Sequence, residues 1–249
     1  MNLNKLYLTK NNCYKAGKKI KVKGIMVHST GANNPWLKRY LPDDGKIGKN
    51  QYGNHWDTPL PGGRQVCVHG FIGKLADGTI ATYQTLPWDH RGWHAGGTAN
   101  NTHIGFEICE DGLTDSKYFG AVYKEAVELC AYLCKEYGLT EKDIICHSEG
   151  AKKGIASNHG DVMHWFPKHG KNMNTFRADV KKLLDDASET PQKELQTGNE
   201  LVWQLMNGKL KVEISEPERA VKALDEAKDN ADYMSLYWII RKVVNEHGV

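Results

Sequence analysis

The sequence predicts an α/β domain built around a central sheet, followed by a smaller all-helical unit. Three observations point there. The apolar runs at Gly24 to Val27 and in "DIIC" have strand length. The stretch "HIGFEICED" alternates, with Ile104, Phe106 and Ile108 on one side and Gly105, Glu107 and Cys109 on the other. Between these strands, apolar residues recur at helical spacing, and strands that alternate with helices pack as a sheet with helices on its faces.

Taken in order, the strand Gly24 to Val27 empties into a polar turn at His28. Residues 31–66 are rich in Gly, Pro, Asn and Asp without a sustained period, which predicts a long ordered loop of the kind that carries function. "VHGFIGKLADGTIATYQTL" reads as a hairpin turning at Asp77-Gly78. On the strand that follows, Glu107 is a charge among apolar neighbours, which makes sense if its face opens onto a polar cleft. Val122, Ala126, Val127, Cys130, Leu133 and Cys134 define a helix from about Tyr118 to Tyr137, stopped by Gly138. "DIICH" is the next strand, and Phe176, Val180, Leu183 and Leu184 mark a helix near Thr175 to Asp186.

A polar linker spans 187–199, "ASETPQKELQTGN". Beyond it, helical patterns lie around Glu200 to Met206, Pro217 to Ala227 and Tyr233 to Asn245. The expected division is therefore 1–186, a linker, and a helical unit over 200–249 in which acids outnumber bases. Its aromatic residues, Trp203, Tyr233, Tyr237 and Trp238, either fill a thin core or serve a wall-anchoring or self-associating module.

The formal charge of +3 is too small to indicate nucleic acid. The first residues lack the apolar run of a signal peptide, and no segment approaches a membrane span, so the chain is expected to be made in the cytoplasm without inserting into a membrane. The six cysteines need not form a disulfide framework, and most read as small buried hydrophobes. The chain has no G-x-S-x-G elbow and no Walker signature, which removes support for a serine hydrolase or a nucleotide enzyme.

His28 and His147 each end a predicted strand, where a rigid sheet can aim a side chain into a cleft. Asp161 lies in a Gly- and Asn-containing loop able to fold back over them. Two imidazoles and a carboxylate leave one coordination position for water, as catalytic zinc requires. Each also has an ordinary structural reading: a histidine hydrogen-bonded at a strand end, an aspartate forming a turn.

Residues 23–184 resemble the zinc-dependent N-acetylmuramoyl-L-alanine amidases of the type 2 class, which share a fold with peptidoglycan recognition proteins and phage lysozyme-type amidases. "MVHST", "GWHAG", "IGFEI" and "HSEG…HGDVMHWF" carry the likeness. The resemblance implies a central mixed β-sheet flanked by helices, with Zn2+ held by His28, His147 and Asp161. Asp161 precedes Phe166 by the family's spacing, although "DVM" stands where Asp-Pro-Gly is common; His159 and His164 are the other donors nearby. It further implies that Glu107 takes a proton from the attacking water and passes it to the leaving amine. His159 takes the place of an oxyanion-stabilising cation, and Trp93 and His94 wall the substrate cleft. His69 aligns loosely with a hairpin position in relatives.

The expected activity is hydrolysis of the amide between N-acetylmuramic acid and L-alanine in bacterial peptidoglycan. The expected setting is a phage or prophage endolysin that waits in the cytoplasm until released to the wall. A muropeptide-binding module without catalysis, or an endopeptidase of the stem peptide, are the alternatives.

Overall fold

The computed structural model describes residues 1–185. The predicted linker at 187–199, the helical unit at 200–249 and the self-association expected of it lie outside these residues.

Among the described residues, one sheet holds the strands β1 (Leu3–Lys5), β2 (Gly24–Ser29), β3 (Gly70–Lys74), β4 (Ile80–Gln84), β5 (His103–Ile108) and β6 (Ile144–Cys146) in the order β1-β4-β3-β5-β2-β6. Only β3 and β4 pair antiparallel, so the sheet is mixed. Their turn falls at Asp77-Gly78, where Gly78 takes a positive φ of 85° and the Asp77 carboxylate accepts from the Thr79 N–H. The helices are α1 (Asn12–Ala16), α2 (Ser116–Tyr137), α3 (His147–Lys152) and α4 (residues 173–185).

Helix α2 begins two residues earlier than its apolar spacing predicts, because the cap lies outside that pattern. The Asp115 carboxylate accepts from the N–H groups of Lys117 and Tyr118 at 2.9 and 3.0 Å, and Gly138 closes the helix in the left-handed conformation. Its buried residues Phe119, Val122, Ala126, Cys130 and Leu133 pack against one face of the sheet, on Ile25, Val27, Ile104, Phe106 and Ile108. Burying a Phe, Val, Leu or Ile side chain contributes about 1.5–3 kcal/mol, so this face is fixed firmly. Strand alternation then sends Met26 and His28 of β2, and Gly105 and Glu107 of β5, to the opposite face. The register makes Met26 the neighbour of Gly105 and His28 the neighbour of Glu107.

The segment 31–66 is ordered, as its composition predicts. Its fully buried Leu37, Leu41 and Ile47 seat it on Phe71 of β3 and Tyr83 of β4. The cysteines depart in part from expectation. Cys109, Cys130, Cys134 and Cys146 are free and buried, but Cys13 and Cys67 form a disulfide. Asn11 explains the pairing: it caps α1 and donates from its amide to the Val66 carbonyl at 3.0 Å, which draws the two cysteines together.

Candidate active site

Three separate pieces of chain bring the key side chains together. His28 lies one residue inside the end of β2; the strand runs past the predicted turn because β5 pairs with it as far as Ser29. His147 opens α3 directly after β6. Glu149 fixes that junction, accepting from the Cys146 N–H at 3.1 Å while Arg177 of α4 grips both its oxygens at 2.9 Å. Asp161 sits on a loop pinned by Val162, Trp165 and Phe166, none of which has any exposure. Trp165 and Phe166 meet Phe119 of α2 edge to face at 5.3 and 5.5 Å between ring centres. The spacing from Asp161 to Phe166 is therefore an anchor spacing.

The result is a compact donor triangle. His28 Nδ1 lies 3.0 Å from Asp161 Oδ2 and 3.2 Å from His147 Nδ1, while His147 Nδ1 is 3.5 Å from Asp161 Oδ1. Both far-side ring nitrogens have partners. His28 Nε2 is 3.0 Å from His94 Nδ1, and His94 Nε2 is 3.2 Å from the His103 carbonyl. A carbonyl only accepts, so the network assigns a proton to His94 Nε2, leaves His94 Nδ1 as acceptor, and makes His28 Nε2–H the donor. His147 Nε2 in turn meets Ser157 Oγ at 3.1 Å, and that hydroxyl reaches the Ala95 carbonyl at 3.2 Å. Two Nδ1 lone pairs and one carboxylate thus face a common point, a donor set that can hold a metal ion.

Electrostatics agree with that reading. Burial holds His28 below its ordinary pKa, although the Asp161 hydrogen bond and charge pull the other way. Burial also holds His94 well below, helped by its histidine neighbours His28 and His69. For Asp161, burial would raise the pKa, but hydrogen bonds to His147 and His28 outweigh it and keep the group a carboxylate. Glu107 is the opposite case. Its Oε2 is enclosed with no hydrogen-bond partner, and burial, then the charges of Asp161 and Glu110, push its pKa well above the usual range. Two carboxyl groups in one cleft are thereby driven to opposite proton affinities.

The cleft has a volume of about 490 Å³. Every site residue expected from the sequence lines it, in distinct places. His159 stands exposed at the rim, its ring centre 4.6 Å from that of His147 and its Nδ1 3.0 Å from Ser157 Oγ. Trp93 is 41% exposed at the mouth, with the Arg91 guanidinium 4.6 Å over its ring. His94 lies behind His28 with both ring nitrogens engaged, so its polar atoms face the protein. Of the rival third donors, His164 is taken by buried Glu110 at 2.8 Å, and Asp161 alone completes the triangle. His69 is fully buried, receiving the Gly105 N–H at Nδ1 and donating from Nε2 to the His90 carbonyl. Ser157, Trp56 and Arg64 are additions from the structure. No spacing signal marks them, since each reaches the cleft from an irregular loop.

The donor triangle and Glu107 thus share one polar cleft at the carboxyl ends of β2, β5 and β6. A family model described as N-acetylmuramoyl-L-alanine amidase matches residues 18–163, and the chain belongs to that family. It is similar to N-acetylmuramoyl-L-alanine amidase CwlH of Bacillus subtilis (strain 168), 33% identical over 116 residues, which are 45% of this chain and 39% of that protein's length. Among solved structures it is similar to Staphylococcus aureus hydrolase AmiA in complex with its ligand, with a TM-score of 0.50 and 19% identity over 74% of this chain and 82% of that one. It is also similar to the PlyG catalytic domain, with a TM-score of 0.51 and 19% identity over 73% of this chain and 94% of that one. At such identities these two structures speak to the fold alone.

Proposed function

We propose that this chain is a zinc-dependent N-acetylmuramoyl-L-alanine amidase that cuts the amide between the lactyl group of N-acetylmuramic acid and the L-alanine of the stem peptide. In this reading it serves as a phage or prophage endolysin, held in the cytoplasm until it is released to the wall. The convergence of His28, His147 and Asp161 beside Glu107 carries the reading. The residues fit the ion: their separations of 3.0–3.5 Å bracket the edge of about 3.3 Å expected for a tetrahedron with bonds of about 2.0–2.1 Å. When bound, zinc supplies Lewis acidity, polarising the amide carbonyl and lowering the pKa of water towards roughly 7.

The chain's own residues do the rest. Glu107, in its carboxylate form, accepts a proton from the attacking water as the water oxygen bonds to the carbonyl carbon. The same carboxyl then gives that proton to the alanine nitrogen as the C–N bond breaks. The products are a lactyl carboxylic acid and a free alanine amine. His159, standing over His147, donates to the oxygen that gains charge at the tetrahedral stage. Trp93 and Trp56 offer aromatic faces to the sugar–peptide junction.

The test is metal analysis of purified full-length protein beside digestion of isolated walls. The expected result is one zinc per chain and new N-terminal alanine by mass spectrometry. Release of other amino termini would move the cut into the stem peptide; wall binding with no new termini would make the chain a binding module.

A further inference from the structure

A second concave site lies next to the catalytic cleft, in the 31–66 segment. It has a volume of about 380 Å³ and is lined by Lys38, Arg39 and Lys49 with Asn34, Asn50, Gln51, Asn54 and Tyr52. We infer that it is a subsite for an anionic group, carboxylate or phosphodiester, on the wall polymer whose amide occupies the cleft.

Charge is the first argument. The lining has three cations and no carboxylate, and none of the three cations joins an ion pair among the described residues. The acids of the same segment are committed elsewhere. Asp43 accepts from the Gly45 and Gly48 N–H groups, Asp44 from Lys46, Ile47 and the Tyr83 hydroxyl, and Asp57 from the Lys10 N–H. The walls of the pocket therefore carry positive charge with no acid among them, which favours anions locally.

Order is the second. The Arg39 guanidinium donates to the Asn54 carbonyl at 2.9 Å, and Lys38 Nζ lies 5.3 Å over the Trp36 ring. Asn50 ties the two sides together, its amide nitrogen donating to the Arg39 carbonyl and to Asn54 Oδ1 at 3.3 and 3.0 Å. Held cations lose less entropy when they bind. Tyr52 is 83% exposed and offers a face for a sugar ring beside carboxamides suited to hydroxyl groups.

Continuity is the third. Asn54 of the pocket and Trp56 of the cleft are two residues apart, and Gly31 of the cleft and Asn34 of the pocket are three apart. At no more than about 3.6 Å per residue, the two sites lie within about 11 Å of each other. One polymer can span both.

This subsite rests on the proposed action on bacterial wall, and the experiment separates the two ideas. The variant is Lys38→Glu with Lys49→Glu in the full chain; both are exposed and make no hydrogen bond that the fold needs. Wall binding is read by co-sedimentation across a salt series, and cleavage is read on intact walls and on a short muropeptide whose stem carboxylates are amidated. The expected result is unchanged cleavage of the neutral muropeptide, with wall affinity reduced on the order of ten-fold and a shallower salt dependence. Walls stripped of phosphate polymers identify the anion: a difference that disappears there marks a phosphodiester, and one that persists marks a stem carboxylate. Equal wall binding by variant and wild type overturns the subsite, as does an equal loss on the neutral muropeptide. If the wild type cuts nothing, the amidase reading fails while the binding comparison still decides the subsite.

Discussion

His28 and His94 are joined ring to ring, Nε2 to Nδ1 at 3.0 Å, and the His103 carbonyl behind them fixes which nitrogen carries each proton. The arrangement depends on Gly105: a Cβ there would overlap the His94 ring, so that ring occupies the space a side chain on β5 would fill. His94 thereby acts on the donor triangle through His28, orienting the imidazole and keeping its Nδ1 lone pair turned inward.

Replacing His94 with Phe keeps the bulk and removes the acceptor. Zinc affinity should fall roughly 10- to 100-fold, the usual cost of losing such a partner, measured by competition with a chromophoric chelator. Unchanged affinity would reduce His94 to a packing role.

Glu107 and Asp161 should separate cleanly. Glu107→Gln removes the proton carrier and leaves the triangle alone, so zinc content should stay at wild-type level while kcat falls by about 10²–10⁴. Asp161→Asn should lose zinc and wall lysis together. A Glu107→Gln enzyme that keeps its full rate, or an Asp161→Asn protein with normal stoichiometry, would refute these roles.

How much of this was visible in the sequence depended on the kind of signal. The α2 face and the alternation of β5 were legible, because burial writes itself into periodic positions such as Val122, Ala126 and Cys130 or Ile104, Phe106 and Ile108. His28 and His147 were legible at strand ends and Asp161 in a loop, and family likeness implied that they converge. The residues alone did not give that convergence, since it needs β5 and β6 on either side of β2 and the Trp165–Phe166 anchor under the loop. The Cys13–Cys67 pair and Ser157 were invisible for the same reason: both are long-range meetings of irregular chain.

His69 sets a pH limit on stability. Burial, outweighing its backbone hydrogen bonds, lowers its pKa to about 4, against an ordinary value of 6.5. The unfolded chain therefore binds the extra proton first as pH falls. The stability tied to neutral His69 is complete above about pH 6.5 and declines towards pH 4, by about 3 kcal/mol in all. His69→Gln keeps a donor for the His90 carbonyl and an acceptor for the Gly105 N–H but does not titrate. Urea unfolding at pH 7 and pH 4.5 should show the wild type losing more stability than this variant, with the other titrating groups common to both. Equal losses would remove His69 from the account.

Glu149, in the "HSEG" stretch, belongs to the scaffold. It faces away from the donor triangle and joins the start of α3 to Arg177 of α4 through a paired contact, 2.9 Å at each oxygen. Burial would raise its pKa, but the Arg177 hydrogen bonds outweigh that and the net shift is downward. Its contribution is thus present above the ordinary glutamate range and lost as pH falls below it. Glu149→Gln should cost about 1.5–3 kcal/mol in urea unfolding at pH 7, since it weakens charge-assisted bonds at the turn that carries His147. With His147 less firmly held, zinc affinity should drop as well, while kcat of the zinc-saturated variant stays near wild type. A fall in kcat at saturating zinc would place Glu149 in the chemistry and contradict its assignment as a strut.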